Sequence, residues 1–385
     1  MRVLVVGVST RAAAESAARA GFAVTSLDAF ADADQHPAVR ALSLPRDFGA
    51  PFTARAAARA ARTIEYDAVA YLSSFENHPA AVRDLAARGA LWGNDAGTLA
   101  RVRDPLELAS ALARRGLPAP ESRTSAPTAG GVARPWLLKP RASGGGHGVA
   151  RWTGSARDRA RLARRSYLQE RVEGVPGSVV FVADGECCVP LGVSRQLVGD
   201  PAFGGDGFRY CGSVLASDDD VPLRAATELA AAVTEEFGLV GVNCVDFVAR
   251  DSAPLAIEVN PRWSSSMELV ERAYGLSVFG AHAVACRDGA LPDFHLAAAR
   301  RSARAWGKGI VYARHDVDVG DTSGWLAGRD IRDVPHPGER IPAGRPVCTV
   351  LAEGASAGEC YDALIARAAQ VYSALGSGRN VREVA

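Results

Sequence analysis

Lysine is almost missing from this chain. Of its 44 basic residues only Lys139 and Lys308 are lysine, the other 42 being arginine. The two side chains differ: guanidinium is a planar fork, ammonium a compact point charge on a flexible stem. Where arginine serves for nearly every cation, a retained lysine marks a place that prefers an ammonium, with chance retention as the alternative. Net charge is also missing, at +1, so no bulk field recruits nucleic acid or acidic partners. No apolar run is long enough to span a bilayer. Met1-Arg2 and the short Val/Leu strand after it are too brief for a signal-peptide core. The seven cysteines include no C-x-x-C pair, and the adjacent Cys187-Cys188 is not a zinc spacing. A reduced, cytoplasmic setting fits that pattern. The G-x-G-x-x-G fingerprint is absent from the first strand–helix turn, which weakens a nicotinamide-dinucleotide reading.

What is present is an ordinary globular composition, 48% hydrophobic and 23% charged, over 385 residues. That length suggests two or three domains. The most informative stretch runs from Ala225 to Glu268. Two apolar strands, Val242–Ala249 and Pro254–Asn260, flank the turn-forming Arg250-Asp251-Ser252-Ala253. A hairpin symmetric about Ser252 places Asp246 opposite Glu258 on one face, with Asn260 two residues further on that same face. Two carboxylates and an amide oxygen suit Mg²⁺, and like charges placed opposite each other call for a cation between them. The alternative for an Asp–Glu pair is a solvated face with scattered acids.

Before this stretch the chain alternates strand and helix. Arg2–Val6 is an apolar strand, Arg11–Ala20 an Ala-rich helix ended by Gly21, Phe22–Asp28 and Ala68–Leu72 further strands. This order argues a parallel, Rossmann-like sheet. Asp28 ends a strand where dinucleotide enzymes bind ribose. The polar loop Ser73-Ser74-Phe75-Glu76-Asn77-His78-Pro79 leaves a strand's carboxyl end, where open sheets hold ligands; an ordinary capped connection is the alternative. Gly116-Leu117-Pro118-Ala119-Pro120 reads as a domain border. Lys139 closes a strand and is followed by Ser143-Gly144-Gly145-Gly146-His147-Gly148. Such glycines let backbone N–H groups turn to an anion, and the lysine adds a point charge. The loop is not a Walker motif, because the lysine precedes it, and a flexible surface turn is the alternative. Phe203–Tyr210 reads as a mobile loop. Gly309–Arg314, Val347–Ala352 and the helix Asp362–Leu375 read as completion of the last sheet.

Four motifs stand in order: Lys139-Pro140 with the glycine loop, Gln169-Glu170-Arg171-Val172-Glu173-Gly174, Asn243-Cys244-Val245-Asp246-Phe247, and Ile257-Glu258-Val259-Asn260-Pro261-Arg262. In this they resemble the ATP-grasp superfamily, carboxylate–amine ligase type. The Phe75-Glu76-Asn77-His78-Pro79 loop and the segment around Ala343–Val350 are similar to ATP-grasp proteins linked to methanopterin-type one-carbon metabolism. The resemblance implies an α/β Rossmann-like pre-ATP-grasp domain (1–116), a lid subdomain with the glycine loop (117–177), and a C-terminal subdomain with the metal hairpin (178–385). The ATP-clamping parts are α+β.

It further implies ATP and Mg²⁺ as cofactors, with Mn²⁺ a substitute. Lys139, Ser143, Gly144, Gly145 and Gly146 would meet the phosphates, and Gln169, Glu170, Arg171, Val172 and Glu173 the adenosine. Asp246, Glu258 and Asn260 would hold metal. Arg262 and Arg195 would serve the transferring phosphoryl group or the substrate carboxylate, and Ser74, Glu76, Asn77, Arg209 and Ser264 the substrates. These would be a small carboxylic acid and an amine, the protein often a homodimer. Two positions depart from the family. Its nucleotide-binding lysine is Pro105 here, with Arg103 or Arg101 as substitutes. Its ribose-binding glutamate is Gly177, with Glu173 the nearest replacement. The other readings are a bicarbonate-activating carboxylase-type enzyme, an ATP-binding regulator without catalysis, and an NAD(P)-dependent oxidoreductase.

Overall fold

The computed structural model describes residues 1–127, 135–217 and 221–377. The later part of the polar segment Ser122 to Arg134 lies outside them. Five strands, β1 (Arg2–Val6), β2 (Ala23–Asp28), β3 (Val39–Ser43), β4 (Ala68–Tyr71) and β5 (Ala90–Trp92), form a parallel sheet in the order β3-β2-β1-β4-β5. Their near-continuous apolar runs follow from burial on both faces. The order reverses between β1 and β4, so the loops leaving these two strands border a crevice. Gly7 permits this approach: a Cβ there would lie 2.6 Å from the Leu72 side chain.

The next sheet is antiparallel and small: β6 (Ser122–Arg123), β7 (Trp136–Pro140), β8 (Ala150–Arg151) and β9 (Ser166–Glu170), ordered β6-β9-β7-β8. The helix Ala156–Arg165 is held to it by Leu162, packed with Trp136, Leu138 and Leu168. The glycine loop is the β7–β8 connection.

The largest sheet takes β10 (Val175–Asp184), β11 (Cys188–Val198), β12 (Tyr210–Leu215), β13 (Val240–Arg250), β14 (Ala253–Asn260) and β15 (Ala305–Tyr312). After a ribbon strand β16 (Val317–Asp318) come β17 (Ile331–Arg332), the second ribbon strand β18 (Arg340–Ile341), and β19 (Pro346–Gly354). The sheet order is β14-β13-β10-β11-β12-β15-β19-β17. Gly309–Arg314 and Val347–Ala352 thus do complete this sheet. β10 starts at Val175, so a border at 177 falls within a strand.

Two helices cover one face. In Leu223–Phe237 the apolar residues Ala226, Leu229, Ala230, Val233 and Phe237 follow helical spacing. They pack on Val179, Phe181, Val193, Val245 and Phe247, and Gly238 ends the helix in left-handed geometry at φ 65°. Each buried Leu, Val or Phe contributes roughly 1.5–3 kcal/mol. The long helix Ala357–Ser377 lies against β15 and β19. The other face meets the parallel sheet at one end, through Val180, Val182, Cys244, Trp263, Met267 and Phe279. Its remainder is the wall of an open cleft.

Candidate active site

The hairpin β13–β14 turns through Asp251 and Ser252, at φ 50° and 64°, with Arg250 opposite Ala253. Positive φ at both central residues is the two-residue hairpin geometry whose twist matches the strands. Continued without a break, that register would put Ile257 opposite Asp246. It shifts between Asp246 and Phe247, so that Phe247 faces Ala256 and Asp246 faces Glu258. Ile257 is the extra residue of a β-bulge. The bulge restores the Asp246–Glu258 pairing that a hairpin centred on Ser252 would give. It also turns the Ile257 carbonyl to Lys139 Nζ at 3.3 Å and Gln169 Nε2 at 3.4 Å.

Around the two carboxylates the polar groups are tightly matched. Asp246 accepts from Gln196 Nε2 and Asn260 Nδ2, both at 2.8 Å. Burial, and then the charge of Glu258, push Asp246 up to about 6. Burial would also raise Glu258, but the charges of Arg103 and Lys139 and the Arg103 hydrogen bond outweigh it and hold Glu258 low. The pair is therefore asymmetric, one carboxylate committed to ionisation and the other poised. Arg262 donates to Glu76 Oε1 at 2.7 Å and to Asn260 Oδ1 at 3.0 Å. Glu76 is buried, and its second oxygen has no protein partner. That oxygen is an acceptor with capacity to spare beside the arginine.

Arg103, named above as one substitute for a lysine at position 105, reaches the hairpin. It donates to Glu258, to Val259 O at 2.8 Å, to Asn77 Oδ1 at 2.9 Å and to Ser143 O at 3.2 Å. Arg101 points elsewhere, to Glu107 and the Glu236 carbonyl. Pro105 is the first residue of its helix, capped by Asp104, which accepts from the N–H groups of Leu106 and Glu107. Lys139 Nζ donates to Gln169 Oε1 at 2.9 Å. The glycine loop is tied on both sides: Ser143 O to Arg103 and Asn77, and Gly145 O to the N–H of Tyr210 at 3.1 Å.

A cleft of about 980 Å³ joins these groups. Lys139, Ser143, Gly144, Gly145, Gly146 and the whole run Gln169–Glu173 line it. So do Asp246, Glu258, Asn260, Arg262, Ser74, Glu76, Asn77 and Ser264. Both lysines of the chain line it too. Two expected residues are not brought there. Arg195 shares the face of Val193, toward the helices, and its guanidinium lies 5.9 Å from the Tyr361 ring centre; its neighbour Gln196 alternates to the cleft. Arg209 lies over the Tyr312 ring at 4.9 Å and donates to Gly344 O, while Phe208 and Tyr210 line the cleft. Gly177 also faces the helices, where a Cβ would lie 2.7 Å from the Phe247 ring. No side chain at that position would reach the cleft. Strand alternation could have identified Gln196 from the sequence; nothing local points to Arg11, Asp333 or Thr349, which also line the cleft.

The site fits a divalent cation by its donor chemistry: two carboxylates and an amide, all hard oxygen ligands, on adjacent strand positions. Among the described residues no group of three or more His, Cys, Asp or Glu side chains could hold a metal, so the third protein oxygen here would be the Asn260 amide. Asp28 does not fit a ribose. It is buried, and accepts from Thr10 N and Oγ1 and from the N–H groups of Phe30 and Ala31.

Residues 102–266 match the family model described as an ATP-grasp domain. No curated protein sequence matches significantly. Solved structures do. L-amino acid ligase from Bacillus licheniformis is 17% identical, with TM-score 0.69 over 96% of this chain and 97% of that one. N5-carboxyaminoimidazole synthetase from Staphylococcus aureus, complexed with ADP, is 13% identical, with TM-score 0.70 over 95% and 96%. A biotin carboxylase complex from Campylobacter jejuni is 16% identical, with TM-score 0.67 over 94% and 89%. The segment that carries Arg103, Lys139, the glycine loop and the carboxylate hairpin thus matches an ATP-grasp domain, in a chain that shares its overall fold with these solved ligase, synthetase and carboxylase structures.

Proposed function

We propose that the protein is an ATP-dependent ligase that activates a substrate carboxylate as an acylphosphate for attack by an amine. The observation that carries this is the opposed Asp246–Glu258 pair, set in one cleft with Lys139, the glycine loop and Arg262. A carboxylate resists an amine because its carbon is electron-rich and its leaving group poor. Phosphoryl transfer needs positioning and charge neutralisation more than side-chain chemistry. Mg²⁺ bound by Asp246, Glu258 and Asn260 would supply neutralisation at the phosphates. Lys139 adds a point charge there, and Gln169–Val172 presents backbone groups to the base. Arg262, anchored by buried Glu76, offers a fork to the carboxylate or the transferring group. The glycine loop, held by Arg103, Asn77 and Tyr210, keeps water from an acylphosphate. Arg103 brings a cation to Glu258 and the root of the glycine loop, which weighs against a regulator that has lost catalysis.

A carboxylase-type reading, with bicarbonate as the activated acid, is favoured by the likeness to a biotin carboxylase. ADP release separates the two. The full chain with Mg-ATP is screened against carboxylic acids paired with amines, and against bicarbonate. Release that requires an acid and an amine supports the ligase; release that requires bicarbonate alone supports the carboxylase. Absence of release in every arm would contradict both.

A further inference from the structure

One wall of the cleft is a single sheet face, and its two ends carry different chemistry. Asp246 on β13 and Lys308 on β15 are separated by β10, β11 and β12. Four inter-strand steps amount to about 19 Å along the sheet, so the Lys308 end is distinct from the metal-binding pair. There Lys308, only 4% exposed, donates to Glu268 Oε2 at 2.7 Å. Arg11 is fully buried. It donates to both Glu268 oxygens, at 3.0 and 3.1 Å, and through Nε to Asp333 Oδ1 at 2.8 Å. Thr349 Oγ1 donates to the other Asp333 oxygen. The backbone supports this placement: Asp333 sits at φ 54°, and Asp34 accepts from the N–H groups of Asp333 and Val334 at 3.1 and 2.9 Å.

Arg11, Lys308, Asp333 and Thr349 all line the cleft. Glu268 lies behind them and is shared by Arg11, Lys308 and Arg272. Lys308 therefore uses one of its three N–H donors on Glu268 and retains others for a ligand. The Asp333 side chain is 23% exposed, so its carboxylate has an open edge. An ammonium and a carboxylate, held at fixed places by a buried arginine, present both signs of charge to the same space. A simple anion bound there would lie beside Asp333, and a simple cation beside Lys308. Each would bury an uncompensated charge, which is costly.

We propose that this end of the cleft anchors the zwitterionic head group of an amino-acid-type substrate, its carboxylate on Lys308 and its ammonium on Asp333, while the group that reacts at the Asp246–Glu258 end is carried on that substrate's side chain. The inference rests on the ligase reading for its biological sense, yet the head-group site can be tested without nucleotide. Binding to the full chain is measured by calorimetry for the twenty amino acids beside their amine-only and carboxylate-only counterparts, with and without Mg-ATP. At least one amino acid should bind tenfold or more tighter than both of its counterparts. In Lys308→Met its affinity should fall to that of the amine-only counterpart. In Asp333→Asn it should fall to that of the carboxylate-only counterpart. No such preference in the wild-type chain would overturn the proposal, whether or not the variants fold. So would a preference that survives both substitutions in folded protein. Failure of Mg-ATP to bind would count against the ligase reading instead, and the amino-acid titration would still decide this site.

Discussion

Arg103 and Glu258 form a half-buried ion pair at the edge of the cleft, and the same guanidinium holds the carbonyl of Ser143 at the root of the glycine loop. One side chain therefore touches a proposed metal ligand, the proposed lid and, through Asn77, the loop leaving β4. In the proposed enzyme that contact would link nucleotide capture to lid position. Replacing Arg103 with methionine removes the group that lowers the Glu258 carboxyl and frees Ser143. The expected result is a tenfold or larger rise in KM for Mg-ATP, about 1.4 kcal/mol per tenfold. Arg101→Met, which breaks contacts with Glu107, the Glu236 carbonyl and the Phe237 ring, all away from the cleft, should leave KM unchanged in the same kinetic assay.

The lid makes a second contact that admits no side chain. A Cβ on Gly146 would lie 1.7 Å from the Phe208 carbonyl oxygen, and Gly146 has φ 75°. Both the close approach and the left-handed backbone select glycine. Gly146→Ala should keep the fold but part the lid from the Phe208–Tyr210 segment. Limited proteolysis should then cut within 143–149, and ligand-dependent ADP release should fall by an order of magnitude or more.

Asp246 predicts a pH response. Its folded-state value of about 6 lies above the ordinary 3.8. The folded chain therefore binds this proton more tightly than the unfolded chain does, and the raised value costs stability as pH rises from about 4 through 6. The ligand-free protein should lose up to about 3 kcal/mol from this group over that window. A bound cation reverses the preference, since it requires the ionised form. Mg-ATP stabilisation should weaken as pH falls below about 6. Asp246→Asn should abolish this pH dependence in thermal unfolding.

His282 acts in the opposite sense. It is buried, accepts from the Val242 N–H at Nδ1 and is pushed by burial from 6.5 down to about 4. A depressed value means stability that is complete above about 6.5 and is lost as pH falls toward 4. Urea midpoints should drop across that interval in the wild-type chain. A His282→Gln variant, less stable at neutral pH, should lack this part of the decline.

The sequence made much of this legible because strand alternation is a strong rule. Asp246, Glu258 and Asn260 share one face for that reason, and the parallel sheet at the start follows from its β-α-β order. The hairpin reached its expected pairing by an unexpected route: the turn sits one half-step from Ser252, and the Ile257 bulge corrects it. No sequence pattern announces a bulge whose role is to aim a carbonyl at Lys139. The two misplaced arginines fail for a different reason. Arg195 and Arg209 stand next to Gln196 and Tyr210, which do line the cleft, so an error of one residue inverts the face. Arg11, Glu268 and Asp333 meet only in the folded chain, from segments more than 250 residues apart between Arg11 and Glu268, and local spacing carries no sign of them. Lysine scarcity did carry a sign: the two retained lysines lie on one cleft.

Thermal unfolding of the wild-type chain and of Glu258→Gln, each with Mg-ATP, with ATP plus EDTA and with NADPH, shows whether the opposed carboxylates hold a metal nucleotide. A ligand confined to the folded state at about 100 times its Kd adds about 2.7 kcal/mol. Wild type should be stabilised by Mg-ATP, far less by ATP with EDTA and not by NADPH, and Glu258→Gln should lose the metal-dependent part. Stabilisation by NADPH without any response to Mg-ATP would contradict the ligase reading.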